Sequence, residues 1–386
     1  MNNNGLSIRC MNSIKSFKTN AWNQLVIAYN NPFYEWHWLF ALENSKSVSN
    51  EFGWQPLYIS IWRDNDLIGA APLFLKNHSF GEFIFDHNFA NLASHLSLNY
   101  YPKLIGMSPY SPIKGYRFFI APKEDHLLIN KLIMNAIDDF AKNNNILSCN
   151  FLYTDPKWNK ISKEIKCIKW KNKQSLWEWK GEKDFNDYLS RFNSNQRKNI
   201  KKERNYLNLK KISFSSKEGD QITKELMKSM HIFYELHCSK WGAWGSKYLT
   251  EDFFLSLASE EIKNNILIFS AHMHKSNSPI AMSMFVKGKN IIWGRYWGSV
   301  NEIKNLHFEL CYYQPIEWSI KNKIQYFDPG AGGNQKRRRG FKAVETTSLH
   351  KWYIPKVSKI ITEWIDHANI ICSQEIKNEN NSIPFK

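Results

Sequence analysis

The residues best suited to chemistry stand near the end of the chain, from Tyr326 to Phe341, where an apparent strand runs into a glycine-rich turn and four consecutive cations. Gly330, Gly332 and Gly333 allow positive φ angles and close approach of the backbone to a ligand, so that successive N–H groups can form an anion-binding concavity. Lys336 to Arg339 supply the countercharge. The pattern suits a phosphate or a carboxylate, and a solvated turn with a charge run explains it equally well.

This loop differs from two common nucleotide-binding motifs. A P-loop needs a Gly-Lys-Ser/Thr triplet that opens a helix, and the loop has none. The Gly-x-Gly-x-x-Gly fingerprint of dinucleotide-binding folds is also absent. The loop therefore indicates an anion site without indicating a particular nucleotide.

A second group of reactive side chains lies on a helix predicted from Leu306 to Ile320, which Pro315 should kink. Glu309 and Tyr313 are four residues apart and share a face, where a carboxylate and a phenol could act as general base and acid. The alternative is that Tyr313 is a core aromatic and Glu309 pairs with a cation. Cys311, four residues after His307, could be a thiol nucleophile, but this single i,i+4 pair is weak support, since buried cysteines are usually inert.

A cationic helix is predicted between Phe185 and Leu207. Arg197, Lys201 and Arg204 stand about one turn apart and therefore share one face, which could hold phosphate groups. The alternative is an ordinary solvated surface in a lysine-rich protein.

Composition narrows the class of protein. The formal charge is +17, which favours polyanionic partners, although much of the lysine lies in Asn/Lys/Ile-rich stretches. Six cysteines are scattered without a Cys-x-x-Cys pair, as expected in a reducing compartment. His272 and His274 would share a strand face, but they lack a third ligand, and no metal site is predicted. No apolar stretch approaches the roughly 20 residues of a membrane span, so we expect a cytoplasmic protein with, at most, peripheral membrane contact.

The elements that would position these residues form two similar units. A chain of 386 residues can bury more than one core. A hairpin from Leu57 to Lys76 has a counterpart from Ile266 to Lys287, with an alternating strand, a polar turn and a returning strand that ends in lysine. We predict an N-terminal domain over 1–180, a C-terminal domain over 181–370 and a disordered tail over 371–386.

Several sequence segments (phrases) together resemble a bacterial family commonly labelled peptidoglycan biosynthesis or FemAB-like proteins, within the GNAT acyltransferase superfamily. The resemblance spans roughly residues 30–355, and its phrases are long and in the right order. They are residues 31–33, 53–56, 69–86, 100–104, 295–298, 306–314 and 328–331, with Lys336 and residues 339–341.

The resemblance implies an α/β (α+β) fold of two tandem GNAT-like domains, with mixed, mostly antiparallel sheets flanked by helices. It also implies an acyltransferase that forms an amide between an activated acyl or aminoacyl donor and an amine acceptor, such as a peptidoglycan precursor. We expect Glu309, Tyr313 and Lys336 to be catalytic. The expected substrate-binding residues are Arg197, Lys201, Arg204, Tyr296, Trp297, Gly330, Gly332, Gly333 and Arg339.

The donor stays open. The coiled-coil arm of many tRNA-dependent Fem proteins is missing, and the GNAT acetyl-CoA loop is met only partly by residues 337–342. Acyl-CoA and aminoacyl-tRNA are both candidate co-substrates, and no permanently bound cofactor is expected. Two other functions are open: a non-catalytic module that binds RNA or an anionic glycan, and an acyl-CoA-dependent N-acyltransferase of a small amine or a protein.

Overall fold

A computed structural model describes residues 5–84, 86–240, 242, 247–333 and 335–386. The chain divides into two compact units. Unit 1 comprises Met1–Asn172 and Glu345–Gln374, and unit 2 comprises Lys173–Val344 and Glu375–Lys386. Each unit is a mixed, mainly antiparallel sheet with helices, as the family resemblance implies.

Among the described residues, the sheet of unit 1 has six strands in its main path, with β5 paired to β3 at the side. Its order is β1-β2-β3-β4-β6-β13, and all neighbours are antiparallel except the parallel pair β4 and β6. The strands are β1 (Leu6–Met11), β2 (Trp54–Arg63), β3 (Asp66–Lys76), β4 (Lys103–Gly106), β5 (Phe119–Ile120), β6 (Ser148–Phe151) and the later part of β13 (Lys342–Trp352).

The sheet of unit 2 repeats this pattern in the order β8-β9-β10-β11-β12-β7. Its neighbours are antiparallel except the parallel pair β11 and β12. The strands are the later part of β7 (Ile168–Glu178), β8 (Ile212–Glu218), β9 (Ile266–Met273), β10 (Pro279–Lys287), β11 (Ile291–Ser299) and β12 (Tyr326–Asp328). The two predicted hairpins therefore hold the same second and third positions in both sheets.

Helices cover these sheets where the sequence offers an apolar face and a cap. In α4, for example, Asp125 accepts hydrogen bonds from the N–H groups of Leu127 and Leu128, and Ile133 and Ile137 are buried one turn apart. The helices of unit 1 are α1 (Thr19–Val26), α2 (Trp36–Asn44), α3 (His87–His95) and α4 (His126–Asn143). Those of unit 2 are α5 (Phe185–Ser190), α6 (Ser194–Leu209), α7 (Lys224–Ser239), α8 (Glu251–Ser256), α9 (Leu306–Phe308) and α10 (Gln314–Lys321).

Between α9 and α10 the backbone forms a π-helical segment, Glu309–Tyr313. The predicted helix over this region is therefore continuous but irregular. Pro315 lies in the first turn of α10, and it has no N–H to donate to the preceding turn. Such π segments occur often at functional sites.

The end of the chain differs from the sequence-based expectation. Glu345–Gln374 return to unit 1 because β13 completes its sheet by pairing with β6 from Leu349↔Phe151 onward. The sequence predicts a disordered tail over residues 371–386, whereas α11 (Pro355–Asn381) runs through most of them. The Asn380 side chain bonds both backbone groups of Ala343, and the Phe385 ring packs on Phe192 at 5.2 Å. None of the described helices combines the length and apolar character that a membrane crossing requires.

Candidate functional site

The glycine-rich loop begins where two parallel strands part. β11 and β12 pair only from Ile291↔Tyr326 to Trp293↔Asp328. β11 then continues to Ser299, whereas the segment that follows β12 turns into the glycine-rich loop after Asp328. The strands therefore separate at their carboxyl ends, and this is where ligands bind in many α/β sheets.

The loop backbone has the conformation that its glycines predict. Gly330, Gly332 and Gly333 have φ angles of 83°, 73° and 85°, in the left-handed region that other residues rarely adopt. The N–H of Gly330 donates to Asp328 Oδ1 at 2.9 Å. Asn334, the last residue of the predicted turn, lies outside the described residues.

Lys336 folds back under this loop. Its Nζ donates to the carbonyl oxygen of Gly330 at 2.5 Å and to that of Ala331 at 3.2 Å, and the residue is only 3% exposed. Burial lowers the pKa of Lys336 to about 8, and the nearby Asp328 carboxylate opposes this shift only in part. An ammonium has three donors, and only two of them have a partner within the described chain.

The charge of Lys336 acts on His307, which packs against Trp297. Their ring centroids are 4.9 Å apart, and His237 stands 6.3 Å from Trp297. Burial lowers the pKa of His307 to about 4, and the charges of His237, Arg339 and Lys336 act in the same direction. His307 is therefore a neutral imidazole at neutral pH. Trp297 is half-buried.

Cys311 and Tyr296 are both held in packed regions of unit 2. Burial raises the pKa of the Cys311 thiol, and the charge of Lys336 opposes this only partly. The thiol therefore stays protonated, which removes support for a cysteine nucleophile. Tyr296 packs its ring against Tyr234 at 5.2 Å and Phe254 at 5.7 Å, so it belongs to an aromatic cluster with α7 and α8.

Glu309 is not placed to act as the general base. It is 2% exposed, and Nε of Arg204 donates to its two oxygens at 3.0 and 3.2 Å, with Gln314 Nε2 at 2.8 Å. Burial raises the pKa of Glu309, while Arg204 acts to lower it. A carboxylate whose oxygens already accept these bonds forms a structural ion pair, and this corrects the role predicted from helical spacing.

Tyr313 and Arg339 also serve a buried network rather than an open pocket. Arg339 is 1% exposed; its Nη2 donates to Glu203 Oε2 at 2.8 Å and its Nε to the Tyr313 hydroxyl at 3.1 Å. The Tyr313 hydroxyl in turn donates to Glu203. The guanidinium stands 3.6 Å from the centre of the Phe308 ring. Sequence reasoning missed Glu203, although it is the single acid in the cationic stretch of α6.

The three cations predicted to share one phosphate site have different environments. Arg204 pairs with Glu309 and Glu317, and Arg197 donates to the carbonyl of Phe192 at 2.5 Å. Lys201 is exposed. Gln196 of α6 links this helix to the turn after Lys336, because its Nε2 donates to the carbonyl of Arg338. Together, α6 and this turn carry five exposed cations: Lys198, Lys201, Lys202, Arg337 and Arg338.

Unit 1 contains a buried charge cluster within the phrases that carried the resemblance. Lys103 is fully buried; its Nζ donates to Glu82 at 2.8 Å, to Asp86 and to the half-buried hydroxyl of Ser79 at 2.7 Å. Burial opposes the charged form of Lys103, but the two carboxylates outweigh it and raise its pKa. Lys76 lies directly opposite Lys103 in the β3–β4 pairing. The cluster fixes the connection from β3 to β4.

Metal binding finds no support among the residues that the structure describes. They contain no group of three or more His, Cys, Asp or Glu side chains that could hold an ion. His272, considered above, sits at the end of β9, where it pairs with Ser213 and Pro279 in the sheet.

The repeated sheet order defines the fold class, which is two tandem GNAT-like α/β units. The chain belongs to the FemAB-like family, described as peptidoglycan biosynthesis/recognition, whose model matches residues 13–386. No curated protein sequence matches the chain.

Solved structures resemble the chain in fold at low sequence identity. FemX has 10% identity and a TM-score of 0.52, with 92% of this chain and 100% of FemX covered. A tandem GNAT protein from the clavulanic acid biosynthesis pathway has 8% identity and a TM-score of 0.44, covering 91% and 99%. L-PGS from Bacillus licheniformis has 9% identity and a TM-score of 0.47, covering 84% and 95%.

Proposed function

We propose that this protein is an acyltransferase that joins an activated acyl or aminoacyl group to an amine, with a peptidoglycan precursor as the acceptor. The observation that carries the proposal is Lys336, a buried ammonium beneath a glycine loop at the parting ends of β11 and β12. Family membership over residues 13–386 supports the reaction class.

The chemistry rests on positioning and charge. The amine nitrogen attacks the acyl carbon, a C–N bond forms, and the carbonyl oxygen becomes an oxyanion. Lys336 and loop N–H groups stabilise this charge, as oxyanion donors do in other acyl transfers. The bond to the donor's sulfur or oxygen then breaks, and the leaving group departs as a thiol or an alcohol after taking up a proton. The amine loses its proton through water, because Glu309 is engaged by Arg204.

The donor and acceptor are expected to be anionic. The exposed cations of α6 and of the turn at Arg337 and Arg338 would attract a CoA or tRNA phosphate backbone, or the phosphates of a nucleotide-linked precursor. We do not assign one donor, since acyl-CoA and aminoacyl-tRNA share this chemistry. A cytoplasmic location, where these donors occur, is part of the proposal.

The test is a screen of the purified full chain against acyl-CoAs, aminoacyl-tRNAs and UDP-muropeptides, with product detected by intact mass. Turnover with one donor and one amine, at least about 10²-fold slower in Lys336→Ala, supports the proposal. Equal turnover in Lys336→Ala excludes the assigned site. Salt-dependent RNA or glycan binding without turnover of any pair would instead identify a binding module.

A further inference from the structure

A cleft of about 710 Å³ opens in unit 2 away from Lys336. Its wall includes Ile320 and Lys323, which precede β12, whereas the glycine loop follows the opposite end of β12 at Asp328. The remaining wall comes from the segment between β7 and α5, the first residue of α5, Ser216 of β8, Phe269 of β9 and the exposed side of α10. The volume lies within the range of roughly 300–1,000 Å³ typical of small-molecule sites.

Aromatic side chains form the apolar part of the cleft. Trp179, which follows β7, and Trp318 of α10 are both half-buried and line the cleft together with Phe185. The Trp179 indole is fixed in place, because its Nε1 donates to the carbonyl of Glu182 at 2.9 Å. Held aromatic faces of this kind are suited to stacking against a planar ring.

The carboxylates that line the cleft are already bound. Glu182 pairs with Arg191 at 2.6 Å, and Glu317 pairs with Arg204 at 2.9 Å. Asp184 caps α5 by accepting a hydrogen bond from the N–H of Asp187. Arg191 therefore compensates the charge of Glu182, whereas Glu317 shares the charge of Arg204 with Glu309.

The lysines that line the cleft, in contrast, have no carboxylate partner among the described residues. Lys183, Lys321 and Lys323 are exposed, and none of them takes part in an ion pair with another described residue. The cleft thus combines aromatic surfaces with three lysines that have no ion-pair partner among the described residues. A ligand that matches both features has a planar ring and an anionic group.

We propose that this cleft is a second ligand site, which takes a small anion bearing a planar ring, of the chemical kind of a nucleoside monophosphate. The ring stacks on Trp179 or Trp318, and the phosphate lies among Lys183, Lys321 and Lys323. The proposal does not depend on the acyltransferase function, since none of the residues that carry it belongs to the Lys336 loop.

The experiment uses the full chain labelled with 5-fluorotryptophan, whose ¹⁹F signals for Trp179 and Trp318 are assigned from Trp179→Phe and Trp318→Phe. AMP and UMP are titrated to about 10 mM, and adenosine and inorganic phosphate serve as the ring-only and charge-only probes. We expect saturable shifts of at least one of the two signals with a nucleotide, and Kd values at least about tenfold weaker with either partial probe.

Charge-reversal variants then locate the site. Lys321→Glu with Lys323→Glu should weaken nucleotide binding at least about tenfold, whereas Lys289→Glu, an exposed lysine after β10, should leave it unchanged. Circular dichroism confirms folding in each variant. The proposal is overturned if neither nucleotide moves either signal, or if the double variant binds as tightly as Lys289→Glu.

Discussion

Glu203 accepts a hydrogen bond from Nη2 of Arg339 at 2.8 Å, although one residue lies in the cationic helix and the other in the cationic turn. The cationic helix α6 and the cationic turn are thus joined through Glu203, the only acid of α6. The same carboxylate also binds the Tyr313 hydroxyl. Lys336 stands three residues before Arg339, so this pair holds the turn that carries the proposed oxyanion donor.

Replacing Glu203 by Gln should therefore destabilise unit 2. Arg339 is buried and would lose its carboxylate partner, and a hydrogen bond to a charged group contributes about 1.5–3 kcal/mol. Denaturant unfolding should show a lower midpoint. The control is Lys202→Gln, an exposed neighbour on α6, which should change the unfolding free energy by less than about 0.5 kcal/mol. Equal midpoints for the two variants would contradict a supporting role for this pair.

Glu309→Gln should act on stability and not on the pH profile of transfer. Arg204 would lose the buried carboxylate to which it donates, so we expect a lower unfolding midpoint. The pH dependence of kcat/KM should keep its shape, because Glu309 transfers no proton. Glu317→Gln is the matched control, since the second partner of Arg204 is exposed. Loss of one limb of the pH profile in Glu309→Gln alone would restore the carboxylate as the base.

Sequence reasoning found the backbone of the site more reliably than its side chains. The positive φ angles of Gly330, Gly332 and Gly333 follow from local chemistry, and the two hairpins follow from alternation, so both could be predicted. Helical spacing placed Glu309 on the face of Tyr313 but could not reveal Arg204, which comes from 105 residues earlier. Partners that distant depend on how the elements pack, and periodicity does not encode this.

The same reasoning explains why the cluster of unit 1 was missed. Lys103, Glu82 and Asp86 meet through the connection from β3 to β4, and no spacing rule links the start of one strand to a loop some twenty residues earlier. A signal did exist, because these residues lie inside two of the longest phrases that carried the family resemblance.

Lys103→Met should destabilise unit 1 strongly. It would leave the buried carboxylates of Glu82 and Asp86 without their cation, and breaking a buried pair typically costs about 3–5 kcal/mol. Lys131→Met, an exposed lysine on α4, is the control. Unfolding midpoints of both variants provide the comparison. A loss no larger than that of the control would show that the cluster contributes little to folding.

The loss caused by Lys103→Met should also depend on pH. Burial already raises the pKa of Glu82 to about 7 with Lys103 present, and without this cation the pKa should rise further. A carboxyl whose folded pKa is raised stabilises the fold at low pH and loses this contribution as the pH rises through the folded pKa. The deficit relative to the unmodified chain should therefore be smaller at pH 5 than at pH 8. An equal deficit at both values would place the effect in packing rather than in charge.

The charge of Lys336 gives the most direct test of the proposed chemistry. Its pKa is lowered to about 8, so the ammonium is mostly charged at pH 7 and loses its proton as the pH rises through 8. If the charged form stabilises the oxyanion, kcat should fall above pH 8, beyond any change in the state of the amine substrate. Lys336→Arg keeps a cation that does not titrate in this range, so its kcat, although lower because the guanidinium fits the loop carbonyls differently, should not show this fall. Lys336→Ala should be slow at every pH. The same decline above pH 8 in Lys336→Arg would assign the titration to another group and remove Lys336 from the mechanism.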